Sequence, residues 1–154
     1  MSDSDVKIRR MKESDVLAVA NLEAACFENP WPEKEIRYEI TENPVAKLYV
    51  AVDKEGLIVG YLDFMITFDS ATISRLAVVA NYRRRGIAQA LLDQMVKICK
   101  EQEEPVEWIT LEVRNSNEPA KKLYKKNGWD EITVKKGYYD DGEDAIYMVR
   151  SIIV

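Results

Sequence analysis

The sequence predicts a single α/β domain over residues 1–154, built on a mixed sheet of seven strands with four helices. Three observations lead there. A chain of 154 residues with 47% hydrophobic content can bury one core but not two comfortable ones. Stretches rich in β-branched and aromatic residues alternate with stretches whose apolar residues recur every three or four positions. No internal repeat, low-complexity tract or linker divides them.

Lys7 to Arg10 reads as a first strand. Val16, Val19, Ala20, Ala24 and Phe27 keep helical spacing behind a Ser14 cap, predicting a helix over 14–26. Pro30, Trp31 and Pro32 punctuate the chain, and a second helix restarts over Glu33 to Thr41. Leu48 to Val52, Leu57 to Thr67 and Ala71 to Val79 form a three-strand meander, separated by Asp53 to Gly56 and by Asp69 to Ser70. Ile87, Ala90, Leu91, Met95 and Ile98 mark one face of a helix reaching Glu101. A strand over Val106 to Val113 follows, then a helix over Glu118 to Lys126 stopped by Gly128. Glu131 to Lys135 and Ala145 to Ile152 pair as a closing hairpin, with Asp141 and Gly142 in the turn.

The net charge of -5, from 22 basic and 27 acidic residues, argues against a general nucleic-acid binder and suits a basic partner better. Cys26 and Cys99 form no CxxC pair and read as reduced packing residues. Met1 to Val6 is polar and acidic, unlike a targeting segment, and no apolar run approaches membrane-spanning length, so a cytoplasmic location is expected. The chain has no histidine, the usual metal ligand and the usual base near neutral pH. Acid–base chemistry therefore falls to carboxylate, tyrosine, lysine or thiol, and no metal is expected.

The most informative run is Arg83 Arg84 Arg85 Gly86 Ile87 Ala88, between the apolar strand Ile73 to Val79 and an amphipathic helix. Arginines sit poorly at the positive end of a helix unless an anion is bound there. Backbone amides and guanidinium groups together suit a pyrophosphate. Gly86 serves both the turn and the close approach of a phosphate.

This run resembles the R/Q-x-x-G-x-G/A signature of the GNAT N-acetyltransferases. Asn117, Ala120, Leu123, Tyr124, Gly128 and Trp129 are similar to that family's N-x-x-A-x-x-L-Y-x-x-x-G-F/W pattern. Leu111 Glu112 Val113 Arg114, with Ser116 and Asn117, resembles the corresponding segment of the RimI type, the ribosomal-protein-alanine acetyltransferases. The resemblance implies a mostly antiparallel sheet and acetyl-CoA as co-substrate, bound by Leu76, Ala77, Val78, Arg83, Arg84, Arg85, Gly86, Ile87, Ala88, Gln89 and Asn117. It further implies Glu112 as general base and Tyr124 as general acid. Ala80, where the family often has proline, and Ala88, in place of the second glycine, remove no donor amide.

Read without the resemblance, Glu112 belongs on a solvent face or in a cleft, Tyr124 is a core aromatic, and Asn117 is a helix cap. Trp31, in Phe27 Glu28 Asn29 Pro30 Trp31 Pro32, is similar to the family's F-x-x-P-W segment beside the acceptor, or else forms a hydrophobic lid. Tyr138 and Tyr139, next to Asp140, Asp141, Glu143 and Asp144, suit a basic peptide or simply pack the hairpin. The function implied is acetylation of a protein or peptide N-terminus, specifically the alanine α-amine of a small-subunit ribosomal protein with a basic tail, by a monomer or weak homodimer. Acetylation of other N-termini, lysines or small amines is the alternative, and a non-catalytic coenzyme-A-binding partner subunit the third reading.

Overall fold

The alternation read in the sequence becomes a sheet in which each strand turns one row of side chains inward. The computed structural model describes residues 5–152; residues 1–4, most of the polar amino-terminal run, and residues 153–154 lie outside the described residues. The strands are β1 (Lys7–Arg10), β2 (Ala46–Val52), β3 (Ile58–Thr67), β4 (Ser70–Val78), β5 (Trp108–Arg114), β6 (Asp130–Lys135) and β7 (Ala145–Ser151). The helices are α1 (Val16–Cys26), α2 (Glu33–Thr41), α3 (Ile87–Lys100) and α4 (Glu118–Lys126). Strand order is β1-β2-β3-β4-β5-β7-β6, with β4 and β5 parallel and the β1-β2, β2-β3, β5-β7 and β6-β7 pairs antiparallel. This is the mixed, mostly antiparallel α/β fold expected. Among the described residues no helix is long and apolar enough to cross a membrane.

The chain forms two compact units, one of residues up to Met65 with Ser74–Ile98, the other of Ile66–Ile73 with the chain from Cys99 onward. In the first unit α1 and α2 bury Val16, Val19, Leu22 and Ile36 against Leu48, Val50, Tyr61 and Ala77. Burial of each such side chain contributes about 1.5–3 kcal/mol. Three inward positions on α1, α2 and β3 are acidic, Glu23, Glu39 and Asp63. Glu23 of α1 is fully buried, and so is Asp63 of β3, whose carboxyl interacts with that of Glu39. Burial, seconded by the Glu39 carboxyl on α2, pushes Asp63 up to about 9, so it is the neutral acid at neutral pH.

In the second unit β5 alternates strictly, with Ile109, Leu111 and Val113 buried and Thr110, Glu112 and Arg114 on the opposite, half-buried row. Tyr124 of α4 meets Trp129 edge-on at 5.5 Å between centroids. Asn117 caps α4 by accepting the Ala120 N–H at 3.2 Å, and Gly128, at φ 91°, takes the left-handed position beyond the helix end.

Several boundaries differ from the sequence reading. Ser14 is not the cap of α1. It sits exposed in a short turn, Glu13–Asp15, which Asp15 closes by accepting the Lys12 N–H at 2.7 Å and Arg9 Nη1 at 2.8 Å. The bend after β3 is Phe68–Asp69, with Phe68 at φ 55°, and Ser70 already belongs to β4. Val106 and Glu107 precede β5, Leu57 is exposed ahead of β3, and α3 buries Leu92 and Cys99 more deeply than Ala90 and Ile98. Both cysteines are free thiols, as expected.

One close approach sets the head of α3. A Cβ on Gly60 of β3 would lie 3.1 Å from the Ala77 carbonyl oxygen and 3.4 Å from methyl carbons of Ile87 and Val78. The strand end and the first residue of α3 thus rest on bare backbone. Gly60→Ala is expected to cost about 1–3 kcal/mol through overpacking. Thermal unfolding reads this directly, and an unchanged Tm would show that the neighbours have room to give.

Candidate active site

The turn from β4 to α3 is built to present backbone. After a short helical turn at Ala80–Tyr82, Arg84 and Gly86 adopt φ of 64° and 80°. Arginine rarely enters this region, and glycine does so freely. The Gly86 carbonyl accepts the Ala90 N–H at 2.9 Å and so opens α3. The amides of Ile87 and Ala88, at the first positions, have no carbonyl one turn behind them. Arg83, Arg84, Arg85 and Gly86 are all exposed.

The three arginines are not equivalent. Arg83 Nε donates to the Val78 carbonyl at 2.9 Å, which fastens the turn to the end of β4. Arg85 lies over the Tyr82 ring at 4.8 Å, and Tyr82 in turn donates to Asp53 at 2.9 Å. The loop is thus braced by these contacts while Arg84, Arg85 and Gly86 stay exposed, and guanidinium groups beside the first turn of a helix are a fit to a pyrophosphate. Gln89 bonds Asp93 through its side chain at 3.0 Å. Leu76 is half-buried, with Ala77 and Val78 buried, so any contact they make to a ligand is through backbone.

In the second unit Glu112 projects from the half-buried row of β5 opposite Tyr147 of β7. Its partner is Lys135 of β6, with Nζ 2.5 Å from the carboxylate. The same ammonium lies 4.9 Å from the Tyr147 ring and 5.5 Å from that of Tyr138. The hydrogen bond to Glu112 raises the Lys135 pKa, so this ammonium stays charged. Neither Lys135 nor Tyr147 stands out in the sequence. Only the β5-β7-β6 register brings them to Glu112, although Lys135 in an edge strand is a hint of sorts.

Tyr124 is buried, which pushes its hydroxyl well above the ordinary value near 10, with Tyr139 adding to the effect. Tyr139 is half-buried and pushed up to about 12 by burial, and it interacts electrostatically with Glu112 as well as with Tyr124. It packs edge-on against the half-exposed Tyr138 at 5.1 Å.

The acidic hairpin serves itself first. Arg114 Nη1 pairs with Asp141 at 2.9 Å and Glu143 at 2.8 Å while its guanidinium lies 4.0 Å from the Tyr139 ring. Glu143 also accepts the Ser116 N–H at 2.8 Å, and Asp144 accepts the Gly137 N–H at 2.9 Å. Asp140 alone of the four acids is left without an ion pair among the described residues.

Trp31 belongs to the first unit. Its backbone N–H donates to Glu23 at 2.9 Å, and its ring lies 4.9 Å from the Arg75 guanidinium. The structure therefore gathers Leu76 to Val78 and Arg83 to Gln89 at one turn, with Trp31 elsewhere in that unit. It places Glu112, Tyr138 and Tyr139 around Lys135 and Arg114 in the other unit.

The seven-stranded mixed sheet, with an exposed arginine–glycine turn between a strand and the following helix, goes with an acetyl-CoA-dependent N-acetyltransferase, and the chain belongs to the Acetyltransferase (GNAT) family, whose model matches residues 16–129. It is similar to a candidate ribosomal protein bS18-alanine N-acetyltransferase of Bacillus subtilis (strain 168), 37% identical over 142 residues that cover 92% of each chain. An N-alpha-acetyltransferase of Sulfurisphaera tokodaii is 33% identical, over 96% of this chain and 94% of the relative. The crystal structure of the ribosomal-protein-S18-alanine N-acetyltransferase from Escherichia coli superposes with a TM-score of 0.84 at 28% identity, over 97% of this chain and 95% of that one.

The bonds to Ser116 and Arg114 hold the Glu143 carboxyl down at about 2. A depressed acid stabilises the fold above its unfolded value, about 4.3, and that contribution is lost as pH falls toward 2. Glu143→Gln is expected to lower Tm by roughly 2 °C at pH 7, with the gap to the parent closing in acid. Thermal scans across pH check this; a gap independent of pH would remove the ionic role.

Proposed function

We propose that this enzyme acetylates the amino-terminal alanine of a small-subunit ribosomal protein of the bS18 type, whose tail is basic, in the cytoplasm. The catalytic domain is the whole chain, acting as a monomer or weak homodimer without a metal ion. One observation carries the reading: the half-buried Glu112 carboxylate already holds a primary ammonium, that of Lys135, between two tyrosine rings. A carboxylate so placed recognises a primary amine, and a neutral acceptor α-amine that takes the place of the Lys135 ammonium meets it as a base. The likeness to the Bacillus subtilis and Escherichia coli proteins supports the choice of acceptor.

The donor assignment goes to the braced turn. Backbone amides of Ile87 and Ala88 with the exposed groups of Arg84 and Arg85 hold the pyrophosphate of acetyl-CoA, strand residues Leu76 to Val78 pair with its arm, and Asn117 adds a contact at its side. Glu112 accepts a proton from the acceptor's α-amine as nitrogen attacks the acetyl carbonyl carbon. The carbon–sulfur bond breaks, and the thiolate takes the proton of the Tyr124 hydroxyl. The raised pKa of Tyr124 keeps its hydroxyl protonated at neutral pH, and reprotonation of the phenolate from solvent draws the transfer to completion. Glu112 then loses its proton to solvent and Tyr124 regains one. A peptide α-amine, with a reference pKa of about 8 against about 10.4 for lysine, is neutral often enough for a carboxylate base. Trp31, Tyr138 and Tyr139 contact the acceptor.

The Sulfurisphaera tokodaii relative favours a second reading in which the acceptor range extends to other amino termini. A panel of amino-terminal peptides, polyamines and lysine peptides with acetyl-CoA, read by mass spectrometry, separates these readings. The acetyl group is expected on the α-amine of basic peptides that begin with alanine. Acetylation confined to lysine side chains or polyamines would overturn the proposal, and no transfer at all would favour a non-catalytic subunit. Glu112→Gln is expected to lower kcat/KM by about a hundredfold or more, chiefly below pH 8 where the amine is mostly protonated. Turnover equal to the parent across pH would refute the base.

A further inference from the structure

We propose that Arg75 and Glu23 form a buried latch that fixes Phe27 and Trp31 in place and so governs how tightly the acceptor binds. This rests on the reading of Trp31 as an acceptor contact. Neither residue takes part in the acid–base chemistry above; both are positioning residues.

The latch is specific in its geometry. Glu23 Oε1 accepts Arg75 Nη2 at 2.5 Å and the Trp31 N–H at 2.9 Å. Glu23 Oε2 accepts Arg75 Nε at 2.9 Å and the Tyr61 hydroxyl. Glu23 is fully buried, whereas the Arg75 side chain keeps 19% exposure. The guanidinium carbon lies over the Phe27 ring, 4.0 Å from its centroid, and over the Trp31 ring, 4.9 Å from its centroid. One carboxylate therefore grips the connection between α1 and α2 twice, once through the Trp31 backbone and once through Arg75 under both rings.

Stability alone gives little reason for this arrangement. A buried ion pair pays a desolvation penalty that well-packed apolar residues avoid, and replacing such a pair by them is often neutral or favourable. Its distinctive product is fixed geometry. The planar guanidinium fork accepts one orientation against a carboxylate and stacks on aromatic faces, which lysine or an aliphatic chain does not reproduce. Here that fixed plane supports the proline-flanked aromatic segment Phe27 to Pro32.

Steady-state kinetics with acetyl-CoA and a basic peptide beginning with alanine tests the latch. Arg75→Met is expected to raise the peptide KM about tenfold, with the KM for acetyl-CoA and kcat at saturating peptide within about twofold of the parent. Arg75→Lys should recover part of the loss, and Tyr61→Phe, which removes one bond to Glu23 with little change in packing, should raise the peptide KM about threefold. Should Arg75→Met fail to fold, the lysine and phenylalanine variants carry the test. Equal rises in both KM values, or a peptide KM that none of the variants moves while Trp31→Ala does, would overturn the latch. A peptide KM unmoved by Trp31→Ala would instead overturn the reading of Trp31.

Discussion

A carboxylate on the apolar face of a helix has to be neutralised where it lies, and Glu23 imposes that requirement on the whole first unit. Its partners come from β3 and β4, so α1 reaches its place only when Tyr61 and Arg75 have reached theirs. Removing one member of such a pair leaves an uncompensated buried charge, at a cost of about 3–5 kcal/mol. The apolar contacts around it, from Val19 and Leu22 to Val50, are less particular about angle. The ion pair thus sets the pitch of α1 over the strands, and with it the course of the segment leaving that helix.

The two halves of the chemistry proposed above are built by different means. The turn proposed to hold the donor depends on backbone: a glycine and an arginine in left-handed conformations, a bare Gly60 beneath, and Arg83 pulled back onto Val78. Side-chain identity matters there mainly as charge. Around Glu112 the reverse holds, since every participant is a side chain placed by strand register, from Tyr147 directly opposite to Lys135 one strand further. Members of a family with such a division can keep one donor while exchanging acceptors.

This division also explains what the sequence made legible. The turn could be read because its residues are contiguous and glycine and arginine are unusual in that setting. Helix α4 was read to the residue because Asn117 and Gly128 mark its ends. The α1 boundary was misread because Asp15, not Ser14, had a second partner, Arg9, outside the local window. Glu23 escaped notice as one acid in a helical pattern, since its partner lies 52 positions away. Lys135 enters the sequence reading only as the last residue of a strand, and the acids Asp141, Glu143 and Asp144 read as suited to a basic peptide although two of them bind Arg114 and the third a loop amide. In each case the missing information was a pairing beyond the reach of one helical turn, from six residues for Arg9 and Asp15 to 52 for Glu23 and Arg75.

Asp63 gives the fold an unusual dependence on its surroundings. Most soluble domains lose stability in acid, where paired carboxylates are forced to protonate. This one also holds a proton as part of its packing, in a carboxyl raised to about 9. The free chain would release that proton near pH 4, so the contribution is complete in acid and drains away as pH climbs toward 9. Across that interval folding takes a proton from the solvent, which makes hydroxide a competitor of the native sheet and the buffer a silent reactant in every measurement of its stability.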